Sequence, residues 1–231
     1  MIRGIVFDKD GTLFDFRASW GRWAQGFLAQ LARDEDHARL LADAIGYLPQ
    51  TNGFAADSPV IAATAVDIAA ALLPHVEGQT QASLTEAIDE AAAGVAMAEA
   101  VPLVPLFTAL KARGLKLGIA TNDSEVPARA HLDRHGLTGL LDFIAGWDSG
   151  HGAKPAPGMC LAFAAAAGLE PAQVLMVGDS LHDLDAGRAA GMRPVAVLTG
   201  IARAGDLAPH AEAVLPDIGA LPAWLDAQTA G

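Results

Sequence analysis

One cysteine stands in the 231 residues, and only four of the fifteen basic residues are lysines. The lone Cys160 excludes an internal disulfide. Its neighbours Met159, Leu161 and Phe163 make it a small buried hydrophobe rather than a reactive thiol. Basic residues are short overall: the net charge is −12. That argues against a broad nucleic-acid or anionic-membrane face, which needs clustered lysine and arginine. A small anionic ligand stays open, because a local site can be positive inside an acidic protein. No apolar run reaches the roughly 18 residues of a membrane span. The first residues run into a strand without the basic-then-apolar order of a secretory signal. The expectation is a cytoplasmic chain, monomer or homodimer, with no nucleic-acid or membrane partner. G-x-S-x-G and a P-loop G-K-[ST] are both missing, so serine-hydrolase and P-loop chemistry lack support. No histidine pair has metal-ligand spacing, so a zinc centre lacks support too.

What is present divides in two. Residues 101–231 alternate short apolar runs with helical stretches. Strands are expected at 115–120, 141–146, 174–178, 194–198 and 213–215, with helices at 124–135, 157–168 and 182–190. That alternation predicts an α/β fold with a parallel sheet covered on both faces. Residues 2–7 have the same character and join that sheet near its centre. Residues 16–100 differ: they are alanine-rich, helical in period and without a convincing strand. Helices are expected at 19–33, 36–45, 59–73 and 81–98, with a turn-rich loop at 46–53. A strand-free stretch of this length does not continue a βαβ pattern. It reads as a helical cap inserted between 1–15 and 101–231, hinged near 15–17 and 101–105.

Chemistry gathers where the strands end. Ile5-Val6-Phe7 runs into Asp8-Lys9-Asp10-Gly11-Thr12-Leu13-Phe14-Asp15. Two carboxylates two residues apart repel, and each needs a hydrogen bond or a cation to be tolerated there. A divalent metal with a phosphate ester would supply it. Asp8 then reads as a nucleophile toward phosphorus, and Asp10 as general acid and base. Gly11 allows the sharp turn. Thr121 and Asn122 close the strand ending at Ala120. They read either as phosphate-binding groups or as plain helix caps. Lys154, in a Gly/Pro-rich loop before a helix, would neutralise the phosphoryl group and Asp8. In Gly178-Asp179-Ser180-Leu181-His182-Asp183, Asp179 reads as a direct Mg²⁺ ligand, with Asp183 acting through water or Ser180.

In order, Asp8/Asp10, Thr121, Lys154 and Asp179/Asp183 resemble the four motifs of the haloacid dehalogenase-like superfamily. A helical insert between the first two resembles the branch of phosphoglycolate phosphatases and β-phosphoglucomutases. The resemblance implies a Rossmann-like core with a helical cap, Mg²⁺ as cofactor and an aspartyl-phosphate intermediate. It also implies that the backbone carbonyl of Asp10 joins Asp8 and Asp179 on the metal. The implied activity is hydrolysis of a small phosphorylated metabolite, phosphoglycolate-like or a sugar phosphate. Haloacid dehalogenases lack the second acid of the first motif, so Asp10 favours phosphate esters. A sugar-phosphate mutase is the runner-up within the family. A receiver-like phospho-aspartate module would be a different class, but receivers are shorter and carry no insert. Lys9 departs from the pattern, which usually has an apolar residue there. It either points away from the carboxylates or reaches the site and adds positive charge. Arg17, Trp20 and the 47–54 loop are the candidates for substrate specificity, with Arg17 pairing a carboxylate or second phosphate. Trp23 reads as a core residue of the cap.

Overall fold

The computed structural model describes residues 1–229. Its strands are β1 (Gly4–Phe7), β2 (Tyr47–Leu48), β3 (Gly53–Phe54), β4 (Lys116–Ala120), β5 (Phe143–Ala145), β6 (Val174–Gly178), β7 (Arg193–Val197) and β8 (Ala213–Leu215). Six of them make a parallel sheet in the order β5-β4-β1-β6-β7-β8. β1 lies centrally, paired with β4 on one side and β6 on the other. Every residue of β1 is buried, as expected when both faces of a parallel sheet are covered. Alternate side chains serve opposite faces. Ile5 and Phe7 join one apolar cluster with Phe107 and Leu110, and Val6 joins the other with Met159, Phe163 and Met176.

The helices are α1 (Phe16–Leu31), α2 (Glu35–Ala44), α3 (Ala65–Leu72), α4 (Gln81–Ala93), α5 (Leu103–Ala112), α6 (Glu125–Arg134), α7 (Gly158–Ala167), α8 (Leu181–Ala189), α9 (Ala204–Leu207) and α10 (Leu221–Thr229). α1–α4 all lie between β1 and α5 in the chain. The two connections to this helical insert run side by side. Asp15 N donates to Ala98 O at 2.8 Å, and Ala100 N donates to Leu13 O at 2.9 Å. An α/β architecture is therefore present, with the insert entering and leaving at one place.

Three expectations need correction. The insert is not strand-free, because β2 and β3 pair as a small antiparallel ribbon, Tyr47 opposite Phe54. The helix expected over 59–73 is broken. A 3₁₀ turn at Pro59–Ile61 ends first, and Thr64 restarts the chain with a reciprocal capping box to Asp67. The helix expected to reach Ala98 ends at Ala93, with Gly94 following. Three helices, α5, α9 and α10, went unread. Pro105 inside an apolar run looks like a strand or loop signal, yet a proline in the first turn of a helix loses no hydrogen bond.

Candidate active site

Three adjacent parallel strands deliver the chemistry. β4, β1 and β6 end at the same edge of the sheet, where open α/β sheets hold their ligands. Residues 121–123 follow β4, residues 8–10 follow β1, and Asp179 follows β6. Thus the motifs separated by more than a hundred residues in sequence become neighbours.

Asp8, Asp179 and Asp183 bring carboxylate oxygens within 4.8 Å of one another, all three residues being buried. Lys154 Nζ donates to Asp8 Oδ1 at 2.5 Å and to Asp183 Oδ1 at 2.6 Å. Asp179 Oδ1 accepts a hydroxyl, from Thr12 at 3.1 Å. Three carboxylates around one ammonium leave an excess of buried negative charge. Burial pushes the Asp8 carboxyl up to about 7, helped by Asp183 and Asp10 and opposed by Lys154. Burial, then Asp183 and Asp8, also raise Asp179 well above the usual carboxylate range. Burial alone would lower Lys154, but Asp183 and Asp8 outweigh it and hold its ammonium above the ordinary lysine value. A small set of hard oxygens with surplus negative charge fits a Mg²⁺-like cation.

Asp183 has a second task. Its Oδ2 accepts from the Ser180 hydroxyl at 2.7 Å and the Ser180 amide at 3.0 Å, capping α8. One oxygen thus starts the helix while the other meets Lys154. Glycines make the crowding possible. A Cβ on Gly200 would sit 1.6 Å from Asp179 Oδ2, and one on Gly178 would sit 2.2 Å from Asp183 Cβ. Gly11 has φ +83°, and its Cβ would come within 2.4 Å of the same Asp179 oxygen.

Asp10 stands apart from that cluster. Its Oδ1 accepts from the Trp20 indole at 2.8 Å, and its Oδ2 lies 2.6 Å from Lys9 Nζ. Lys9 therefore does not point away: it is fully buried and reaches Asp10. The same ammonium stands 3.2 Å from Asp123 Oδ2, an ion-pair contact outside hydrogen-bond geometry. It also donates to His131 Nδ1 at 3.2 Å and sits 5.5 Å from the Trp20 ring centre. Burial and the Lys9 charge push His131 down to about 4. The ring is neutral at pH 7, and Nε2–H donates to Ala92 O at 2.9 Å. Burial and Asp10 push Asp123 up to about 6, against the pull of Lys9. For Lys9 itself the two acids outweigh burial, and its value is raised. Lys9, Asp123 and His131 thus form a buried base beneath Asp10.

Thr121 is buried at the cavity wall, and its hydroxyl accepts from the Asp123 amide at 3.1 Å. Asn122 also lines the cavity, but its side chain is already spent. Its amide donates to Ala62 O at 2.8 Å and Lys154 O at 2.9 Å, and accepts from Lys154 N at 2.8 Å. The Asn122 side chain thus clamps the Lys154 loop and ties it to the insert, leaving its backbone as the part that can face the cavity. The insert closes the cavity with Trp20, Trp23, Val60, Ile68 and Ile88. Trp23, expected only as core, also stacks on Phe27 with ring centres 5.4 Å apart. Arg17 is exposed and does not line the cavity, and neither does the 47–54 ribbon. Tyr47 and Asn52 bond to each other at 2.8 Å, and Asn52 lies against Gly21 of α1. The specificity roles expected of Arg17 and that loop therefore find no geometry here, whereas Trp20 does touch the site. Sequence reading missed Asp123 and His131. Asp123 looks like a capping residue after Thr121-Asn122, and a lone helical histidine carries no spacing signal.

Comparison with known proteins decides the family. A sequence model described as haloacid dehalogenase-like hydrolase matches residues 2–191. The chain belongs to this family. A phosphoglycolate phosphatase of Neisseria gonorrhoeae is 30% identical over 234 residues, covering 96% of this chain and 91% of that protein. One from Rhodospirillum rubrum is 39% identical over 120 residues, covering 52% of this chain and 50% of its own length. The crystal structure of a hydrolase from Pseudomonas syringae superposes with a TM-score of 0.70 at 22% identity, covering 98% of each chain. With full-length phosphatase relatives, this haloacid dehalogenase-like protein is a phosphatase, a hydrolase of phosphoric monoesters. Among its described residues no helix is long and apolar enough to cross a membrane.

Proposed function

We propose that the chain is a Mg²⁺-dependent phosphatase that hydrolyses a small phosphorylated metabolite through an aspartyl-phosphate on Asp8. The observation that carries this reading is the pairing of Asp8 with Lys154 at the end of β1, beside Asp179 and Asp183. In the first half-reaction an Asp8 oxygen forms a bond to phosphorus and the ester oxygen leaves. Asp10, in its protonated form, gives that oxygen its proton. In the second, Asp10 takes a proton from water as the water oxygen attacks phosphorus. The Asp8–phosphorus bond breaks and inorganic phosphate leaves. Lys154 offsets charge on Asp8 and the phosphoryl group throughout. Trp20 and Lys9 hold the Asp10 carboxylate in place, one contact on each oxygen.

Asp8, Asp179 and the Asp10 carbonyl would hold Mg²⁺, which supplies neutralisation of phosphoryl charge. Asp183 would support it from its place between Lys154 and Ser180. We read residues 16–100 as a cap on a core of 1–15 and 101–231. Its apolar side chains cover the acids, and its two connections enter together. A closed lid of this kind excludes bulk water and limits the leaving group to a small molecule. The test is rapid quenching with ³²P-labelled substrate. Wild type should carry acid-stable, hydroxylamine-labile protein phosphate, and Asp8→Asn should carry none and turn over less than one per cent as fast. Protein phosphate at full yield in Asp8→Asn would move the nucleophile elsewhere.

A further inference from the structure

The cavity has a charged floor and an apolar roof. Every side chain that residues 16–100 contribute to its lining is apolar or an indole, including Trp20, Trp23, Val60, Ile68 and Ile88. The Trp20 N–H is spent on Asp10. Among the described residues the buried Trp23 N–H has no acceptor. Below, both lysines are already matched: Lys154 lies between Asp8 and Asp183, and Lys9 between Asp10 and Asp123. Of the two lysines Lys154 alone lies on the lining, and the further basic group there is His182, exposed on α8. Arg17 and Arg22 of α1 are exposed and outside the lining.

From this juxtaposition we infer that the enzyme takes phosphate esters of uncharged, largely apolar alcohols, seated against the roof of the insert. The inference rests on the phosphatase reading above and deepens it. A carboxylate or second phosphate on the leaving group would be carried against an apolar wall with no cation to meet it. An unpaired buried anion is far costlier than a buried hydrocarbon. Burying that hydrocarbon is favourable in itself, each methylene being worth about fourfold in binding when fully removed from water. The preference separates this chain from relatives named for phosphoglycolate, whose alcohol part bears a carboxylate.

The experiment measures kcat/KM of the Mg²⁺-loaded full chain on ethyl, n-butyl and benzyl phosphate and on phosphoglycolate. p-Nitrophenyl phosphate serves as the general phosphatase control. Rates should climb from ethyl to butyl and benzyl, with benzyl phosphate at least about tenfold above phosphoglycolate. Val60→Arg, which places a cation on the roof, should narrow or invert that ratio. Preference for phosphoglycolate, or rates flat along the apolar series, would overturn the inference while leaving the phosphatase reading intact. If no ester is hydrolysed, p-nitrophenyl phosphate included, the phosphatase reading fails and this inference falls with it. Should Val60→Arg not fold, the wild-type series decides alone.

Discussion

Replacing Lys9 by methionine keeps the length of the side chain and removes its charge. In the native protein that ammonium is fully buried, 2.6 Å from Asp10 and 3.2 Å from Asp123, whose side chains are only 15% and 10% exposed. Without it, two carboxylates face each other in a nearly dry site. Breaking a buried ion pair by removing one partner typically costs about 3–5 kcal/mol, because the remaining charge is left unmatched. For a chain of this size that is a fall in Tm on the order of 10 °C. The sign of the pH dependence follows from Asp123. Its folded value, about 6, already exceeds that of an unfolded aspartate, and it rises further once Lys9 stops pulling it down. A carboxyl raised in the folded state is no burden below its unfolded value and becomes one as pH climbs through the folded value. The deficit of Lys9→Met should therefore be largest near pH 8 and shrink toward pH 5. Adding Asp123→Asn should recover most of it at pH 8. Denaturant unfolding at both pH values, in chelator, measures all three proteins. Activity gives an independent reading. Esters with poor alkyl leaving groups, which need a proton from Asp10, should suffer more than p-nitrophenyl phosphate. A single variant within 1 kcal/mol of wild type at pH 8, or a deficit that grows on acidification, would refute the reasoning.

Chelation should destabilise the protein more at pH 8 than at pH 5.5, because Asp8 and Asp179 are raised by burial and must ionise against it. An equal Tm shift on Mg²⁺ addition at both pH values would count against Asp8 and Asp179 as its ligands. Gly200→Ala should weaken Mg²⁺ binding by about 10–100-fold, a usual range for disturbing the support of a ligand, since the new methyl lands on Asp179. Calorimetric titration giving an unchanged affinity would disprove that. Trp20→Phe keeps the ring and deletes the hydrogen bond to Asp10. It should lower kcat on alkyl phosphates roughly tenfold, in line with a bond to a charged group. An unaltered kcat would leave Trp20 with packing alone.

Much of this was legible because strand ends are marked twice. Apolar runs at 5–7, 117–120 and 174–178 locate the sheet, and the acids and Thr121 that follow mark one edge of it. Covalent neighbours and short spacings carry that signal. What stayed hidden depends on contacts across the fold. Lys9 lies between Asp8 and Asp10 in sequence, yet its fate was set by Asp123 and His131, more than a hundred residues on. Nothing local to Asn122 shows that its side-chain amide is occupied by the Lys154 backbone and by Ala62. Arg17 looked suited to an acidic substrate because its charge is visible in sequence, whereas the side of α1 it occupies is not. The roof of the cavity was hardest to read. Val60, Ile68 and Ile88 sit on separate elements of the insert, and each alone resembles ordinary core.

The glycines around the carboxylates have a consequence for transplanting this chemistry. Gly11, Gly178 and Gly200 contribute no functional group, and Gly200 falls outside every motif that a pattern search would copy. Each nevertheless holds open the space that an aspartate fills, down to the 1.6 Å at which a Gly200 methyl would overlap Asp179. A designer who grafted only the acids, the threonine and the lysine onto another parallel sheet would import the charges without the room to hold them. The same three positions should register as intolerant in a saturation-mutagenesis map, with profiles as sharp as those of the acids they accommodate.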